Sequence, residues 1–333
     1  MPIELFRKTF QAESLMREHP PRLRHPNKQL VFDLACPAGA RHQGEIAFSR
    51  WRADGLPGAL PAERPKLTDR PGFFDYPRPQ AGTVEWHINF ADPRLFAAYA
   101  GPLLAQDELQ VAEHPALGAV REALEPLGEA FTEDARGPTP VLVTGVERRC
   151  ALSGLYGNAF ARAAPKAVKA AVRTLSPPPR SNVLAIAAPV GRGPYTLAQI
   201  ERITLTATTG LLAAKGETER LAPGARTVVH TGFWGCGAFG GDRVLMTALQ
   251  VVAARLAGVE ALLPPRRLER RVAVRAGSSH RRTTGLDGHG QGPRRGAWAG
   301  LRVGRQQRDL RQLGLTGLFA ARGCPSVEPD PGR

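Results

Sequence analysis

Thr231-Gly232-Phe233-Trp234-Gly235-Cys236-Gly237-Ala238-Phe239-Gly240-Gly241-Asp242 is the stretch whose reading fixes the fold. Residues 225–231 read as a strand that runs into it. Asp242 then caps a helix carrying Leu245, Leu249, Val252 and Leu256 on one face, and Gly258 ends that helix. Five glycines within ten residues let backbone N–H groups surround a diphosphate, and the helix dipole adds partial positive charge. The bland alternative is a tight strand-to-helix turn without a ligand. The interleaved Phe233, Trp234 and Phe239 weigh against it. Gly235-x-Gly237-x-x-Gly240, with Glu260 twenty residues on, also fits a dinucleotide fingerprint and hence an NAD-dependent oxidoreductase. That reading is poor, because only an unpatterned tail follows and bulky rings occupy a turn that favours small residues.

Outward from this turn, strands alternate with helices. Thr83–Phe90 alternates as a strand should, and Val141–Thr144 and Val183–Ala188 are short buried-strand runs. Thr196 and Gln199 start a helix with Leu197, Ile200, Leu205, Leu211 and Leu212. The pattern predicts an α/β layer fold. Residues 1–52 mix apolar and charged positions, and the Pro-rich stretch 53–80 reads as a connector. The expected organisation is an N-terminal accessory segment and connector over 1–80, an α/β domain over 81–263, and an Arg/Gly-rich tail over 264–333.

The net charge of +15 is set by that tail, which holds fifteen Arg, no Lys and five acids. It is either a disordered basic arm that could bind nucleic acid or, the reading favoured here, the product of a frame slip near Leu263. The tail is therefore no argument for a nucleic-acid partner. Cys36, Cys150, Cys236 and Cys324 are far apart and form no CxxC pair, which suits a reduced cytoplasmic protein without a zinc site or disulfide framework. The apolar runs are too short for a membrane span, so no membrane partner is expected.

Upstream, Gln106-Asp107-Glu108 sets two adjacent carboxylates beside an amide, with Asn89 and Asp92 at the preceding strand end. Cleaving a glycosidic bond needs an acid to protonate the leaving oxygen, and paired carboxylates can hold one proton near neutral pH. Taken alone, the pair is as well explained as solvent-facing acids at a helix start. Glu113 and His114 read as helix-surface residues.

In content and order these segments resemble the poly(ADP-ribose) glycohydrolase family. The likeness runs through Asn89-Phe90-Ala91-Asp92, Gln106-Asp107-Glu108, Val143-Thr144-Gly145-Val146-Glu147-Arg148, Tyr156-Gly157-Asn158-Ala159-Phe160 and Thr231–Asp242. It implies a macrodomain, a mixed sheet between helices, and a hydrolase acting on poly(ADP-ribose) or ADP-ribosylated protein with no metal or cofactor. By the resemblance, Glu108 protonates the departing ribose oxygen, while Asp107 binds ribose hydroxyls and tunes Glu108. Asn89, Asp92 and Gln106 line the ribose site, and Tyr156 stacks on adenine. Gly235, Cys236, Gly237, Ala238, Gly240 and Gly241 hold the diphosphate by their backbone, and Phe239 packs on ribose. Departures are Phe96-Ala97-Ala98 in place of three glycines, Asn89 and Asp92 with their residue types exchanged, Asp107 for Glu, and Phe233 for Asn. The final strand and helix after Glu260 are expected to be missing or scrambled. The alternative is a macrodomain that binds ADP-ribose without cleaving it.

Overall fold

The chain opens with strand β1 (Ile3–Gln11) and two helices, α1 (Ala12–Glu18) and α2 (Pro26–Ala35), followed by β2 (Glu45–Arg52), β3 (Leu67–Asp69) and β4 (Thr83–Ala91). Next come α3 (Gln106–Glu113), α4 (Ala116–Leu124), the short hairpin β5 (Glu133–Asp134) and β6 (Gly137–Pro138), and β7 (Val141–Glu147). β8 (Cys150–Leu152), α5 (Asn158–Ala161), α6 (Pro165–Ala171) and β9 (Val172–Thr174) precede β10 (Arg180–Ala187). The long α7 (Leu197–Leu221), β11 (Arg226–His230), α8 (Arg243–Ala257) and β12 (Glu260–Leu263) complete the fold. This computed structural model describes residues 1–59, 61, 64–69 and 76–263. The tail 264–333, and with it the choice between basic arm and shifted frame, lies outside the described residues. Met1–Gly193 with Ala198–Arg266 makes one compact unit; of the other, only Pro194–Leu197 is described.

Eight strands form one mixed sheet in the order β1-β2-β7-β10-β4-β11-β12-β3. β1, β2, β7 and β10 pair antiparallel, whereas β10, β4, β11, β12 and β3 run parallel. The fold is therefore α/β, with a mixed sheet flanked by helices as the sequence predicts. Strands from residues 1–80 supply both outer edges of the sheet. The expectation of a lost strand after Glu260 is corrected: β12 pairs with both β11 and β3, because Ala261 and Leu263 carry a buried apolar face into the sheet, whereas the expected loss of a helix beyond it lies outside the described residues. Among the described residues, no helix is long and apolar enough to cross a membrane.

Alternation along the strands sorts the side chains onto two faces. Val183 and Ala185 of β10 face the cluster built by Leu117, Val120 and Leu124 of α4 and Phe48 of β2. Leu184 and Ile186 face α7, where Gly210 lets the helix approach closely: a Cβ there would sit 2.9 Å from Ile186 Cγ2 and 3.1 Å from Leu184 Cδ1. On the same face the indole of Trp86, fully buried, donates to Thr218 Oγ1 at 3.0 Å. Gly210→Val should therefore overpack this helix-sheet contact and lower stability by about 1–3 kcal/mol, read as a fall in the urea midpoint. An unchanged midpoint would mean that α7 does not seat on β10.

Candidate functional site

β11 leaves the sheet at His230, paired with His87, while β4 runs on to Ala91. In parallel pairing, alternate residues bond to opposite neighbours, so Ile88 and Phe90 lose their partner strand where β11 stops. The side chain of Gln106, the first residue of α3, takes its place. Its Oε1 accepts from Phe90 N at 2.6 Å and its Nε2 donates to Ile88 O at 2.9 Å. Those two bonds fix the start of α3 against the end of β4, and Asp107 and Glu108 follow from that placement.

Both carboxylates are buried, at 7% and 4% exposure, so the reading of solvent-facing helix-start acids is corrected. Asp107 Oδ1 accepts from Asn89 Nδ2 at 3.0 Å, and Glu108 Oε2 accepts from Ala105 N at 2.9 Å. The second bond caps the helix. Burial, then the neighbouring Glu108 charge, pushes Asp107 up to about 7, against the opposing Asn89 bond and the Lys28 charge. Burial also raises Glu108, against hydrogen bonds from its own and the Ala105 backbone and the charge of Lys28. Both shifts favour the protonated forms, with burial as the leading cause. Asp92 adds repulsion to both carboxylates, while its Oδ1 accepts from Arg94 N at 3.0 Å. Asn89 is fully buried, and its Oδ1 has no hydrogen-bond partner.

Lys28 is the residue that sequence reading missed. It lies on the buried side of α2 with Val31 and Ala35, donates to Tyr99 O at 3.0 Å, and is pushed down to about 8 by burial, against the charges of Glu108 and Asp107. A lysine in the apolar stripe of an amphipathic helix was the available signal. Tyr156 is half exposed. Its hydroxyl interacts with the backbone of Gln106 and senses the Glu108 charge, so the β8–α5 loop reaches the carboxylates.

The glycine loop leaves β11 at the same edge. Thr231 N donates to Leu262 O at 3.0 Å, and Gln250 of α8, also missed, holds Gly232 O with Nε2 at 3.1 Å. A Cβ on Gly232 would lie 3.1 Å from the Phe90 ring, which puts the loop start beside the end of β4. Gly235 has φ +73°, and a Cβ there would meet Pro189 O at 2.8 Å, so only glycine fits. Within the loop, Trp234, Cys236, Gly240 and Gly241 N–H groups bond to loop carbonyls. Those of Gly235, Gly237, Ala238 and Phe239 donate to no protein acceptor among the described residues. Asp242 caps α8 by accepting from Leu245 N at 2.8 Å. Phe233 lies under the Arg243 guanidinium at 4.8 Å. Burial pushes the Cys236 thiol up to about 11, so it is not a thiolate nucleophile at neutral pH. Among the described residues only β12 follows α8, short of the further βα units that a dinucleotide fold needs.

One expectation is corrected here. Glu113 and His114 are buried, not surface residues: Glu113 pairs with Arg148 at 2.8 Å and accepts from Leu152 N, and His114 bridges Gln110 O and Ser181 Oγ. In the Phe96-Ala97-Ala98 segment, Phe96 itself adopts φ +53°, and its ring packs in the core with Leu95 and Leu117. The Phe96 bulk therefore goes into the protein interior.

Residues 98–263 match the family model described as poly(ADP-ribose) glycohydrolase (PARG), Macro domain fold. Among solved structures, the chain is similar to poly(ADP-ribose) glycohydrolase from Thermomonospora curvata, at 16% identity and a TM-score of 0.40, covering 78% of this chain and 79% of that one. It is also similar to the Deinococcus radiodurans enzyme in complex with ADP-ribose, at 13% identity and a TM-score of 0.36, covering 92% and 95%. No curated protein sequence matches.

Gln106→Ala should strand Phe90 N and Ile88 O and cost about 1–3 kcal/mol for each group left unpaired, measured by denaturant unfolding; an unchanged midpoint would mean that water replaces the amide. The carboxylates set a pH dependence of definite sign. Asp107 holds its proton more tightly folded than unfolded, so its contribution favours the fold at low pH and is lost as pH rises from about 4 through about 7. Lys28→Met removes a cation that favours ionisation and should move the Asp107 and Glu108 midpoints upward in a carboxyl 13C NMR titration. A downward or absent movement would remove Lys28 from the site.

Proposed function

We propose that this chain, whose residues 98–263 are similar to the poly(ADP-ribose) glycohydrolase macrodomain, hydrolyses an O-glycosidic bond of ADP-ribose, either between riboses of the polymer or to an ADP-ribosylated protein. The observation that carries the reading is the buried Asp107–Glu108 pair, with its raised proton affinity, at the sheet edge where the glycine loop begins.

The chemistry follows from these positions. Glu108 gives its proton to the departing ribose oxygen as the sugar carbon gains oxocarbenium character; water then bonds to that carbon and returns a proton to the Glu108 carboxylate. Asp107, oriented by Asn89, accepts from ribose hydroxyls, and its negative charge favours the developing cation. The buried Asn89 Oδ1 gains a partner when a ribose hydroxyl reaches it, which relieves a desolvation cost of about 1–3 kcal/mol. The N–H groups of Gly235, Gly237, Ala238 and Phe239 bind diphosphate oxygens near the start of α8, with Cys236, Gly240 and Gly241 shaping the turn. Tyr156, half exposed at the rim, stacks on adenine, and Phe239 packs on the ribose. Asp92 helps keep the pair protonated.

A second reading, a module that binds ADP-ribose without cleaving it, is favoured by one observation: Glu108 already caps Ala105 N and so has a structural task. Release of ADP-ribose from labelled polymer separates the two. Hydrolysis predicts turnover that falls about 10²–10⁴-fold in Glu108→Gln, with ADP-ribose affinity retained by calorimetry. Affinity without turnover in the unaltered chain selects the binding module, and no affinity removes both.

A further inference from the structure

The face of β4 that carries Asn89 also carries, one and two alternations earlier, His87 and Glu85. β11 pairs Val228 with Glu85 and His230 with His87, so the two imidazoles lie side by side on that face. Their centroids are 4.4 Å apart with 19° between planes, and His230 Nε2 lies 2.6 Å from Glu85 Oε2. One ligand atom from each of the three residues lies within 4.8 Å of the others, and all three residues are buried. Neither the carboxylate pair nor the glycine loop uses them.

Strands buried on both faces of a parallel sheet are normally apolar. Here three ionisable groups sit together, walled by Tyr76, whose ring lies 4.2 Å from that of His87 and whose hydroxyl accepts from Gln110 Nε2 at 3.0 Å. Arg148 covers Tyr76 at 4.1 Å. Two imidazole nitrogens and one carboxylate oxygen form a donor set that zinc accepts, with a fourth position left open. Tetrahedral bonds of about 2.0–2.2 Å separate ligand atoms by about 3.3–3.6 Å, so the widest pair must draw in by a little over an ångström.

We propose that Glu85, His87 and His230 form a binding site for a first-row divalent metal ion of the zinc class, joining β4 to β11. The ion would brace the two strands whose ends carry Asn89 and the glycine loop. The thiols of Cys36, Cys150 and Cys236 take no part, which is why cysteine spacing gave no sign of it. This inference does not depend on the glycohydrolase reading, because its readout is metal binding.

The test uses the full chain, stripped with chelator, desalted and titrated with zinc, then with cobalt as the spectroscopic probe. Expected are one zinc per chain by elemental analysis beyond what His87→Asn/His230→Asn retains, a rise in Tm with zinc that Glu85→Gln reduces, and cobalt d–d absorption that saturates at one equivalent. Should the variants fail to fold, the unaltered chain still decides: bound cobalt must shift ring signals of two buried histidines in its proton NMR spectrum. Zinc bound equally by folded variants, or cobalt that leaves the buried imidazole signals unmoved, would overturn the site.

Discussion

The early departure of β11 from the sheet is the constraint on which the rest of the structure depends. On the β11 side it leaves Ile88 and Phe90 of β4 without a strand, although β10 still pairs on the other side, and buried backbone groups must be paired. Gln106 supplies both missing bonds from a side chain, so α3 begins where β11 would have continued. One gap in the ladder thus delivers two things to the same edge: the departing chain becomes the glycine loop, and the incoming helix brings Asp107 and Glu108.

Three influences then act on those carboxylates, and their balance matters more than any one of them. Burial favours the protonated forms and is the largest effect on each. The Ala105 N–H on Glu108, the Asn89 amide on Asp107 and the Lys28 ammonium favour the ionised forms. Lys28 is itself desolvated and is therefore a cation of reduced proton affinity. Lys28 also holds Tyr99 O, which ties this charge balance to the adjoining Phe96-Ala97-Ala98 segment. There the backbone keeps a left-handed residue at Phe96, and burial of the ring in the core offsets the strain of that conformation.

The elements were legible because they are written in local periods. Alternation marked β4, short apolar runs marked β7 and β10, the i, i+3/i+4 stripe with Asp242 and Gly258 marked α8, and clustered glycines marked the loop that follows β11. The motif order gave the fold class, and it brought Gln106, Asp107, Asn89 and Gly232 into one argument. Local patterns misjudged residues whose surroundings come from distant chain. Glu113 and His114 look like surface residues until β7, β8 and β10 close over them, and β12 looks lost until β3 pairs with it.

What the sequence by itself determined is the central strands, the helices α7 and α8 and the glycine turn, together with the chemical types available at the glycine loop and the carboxylate pair. The tertiary structure alone decided which of those groups meet. Strand register set His230 against His87, and helix packing buried Lys28 near Asp107 and Glu108 across some eighty residues. The physical reason is that backbone periodicity is a property of neighbouring residues. Desolvation and Coulomb coupling depend on distances through space, which exist only once β4, β10 and β11 are aligned.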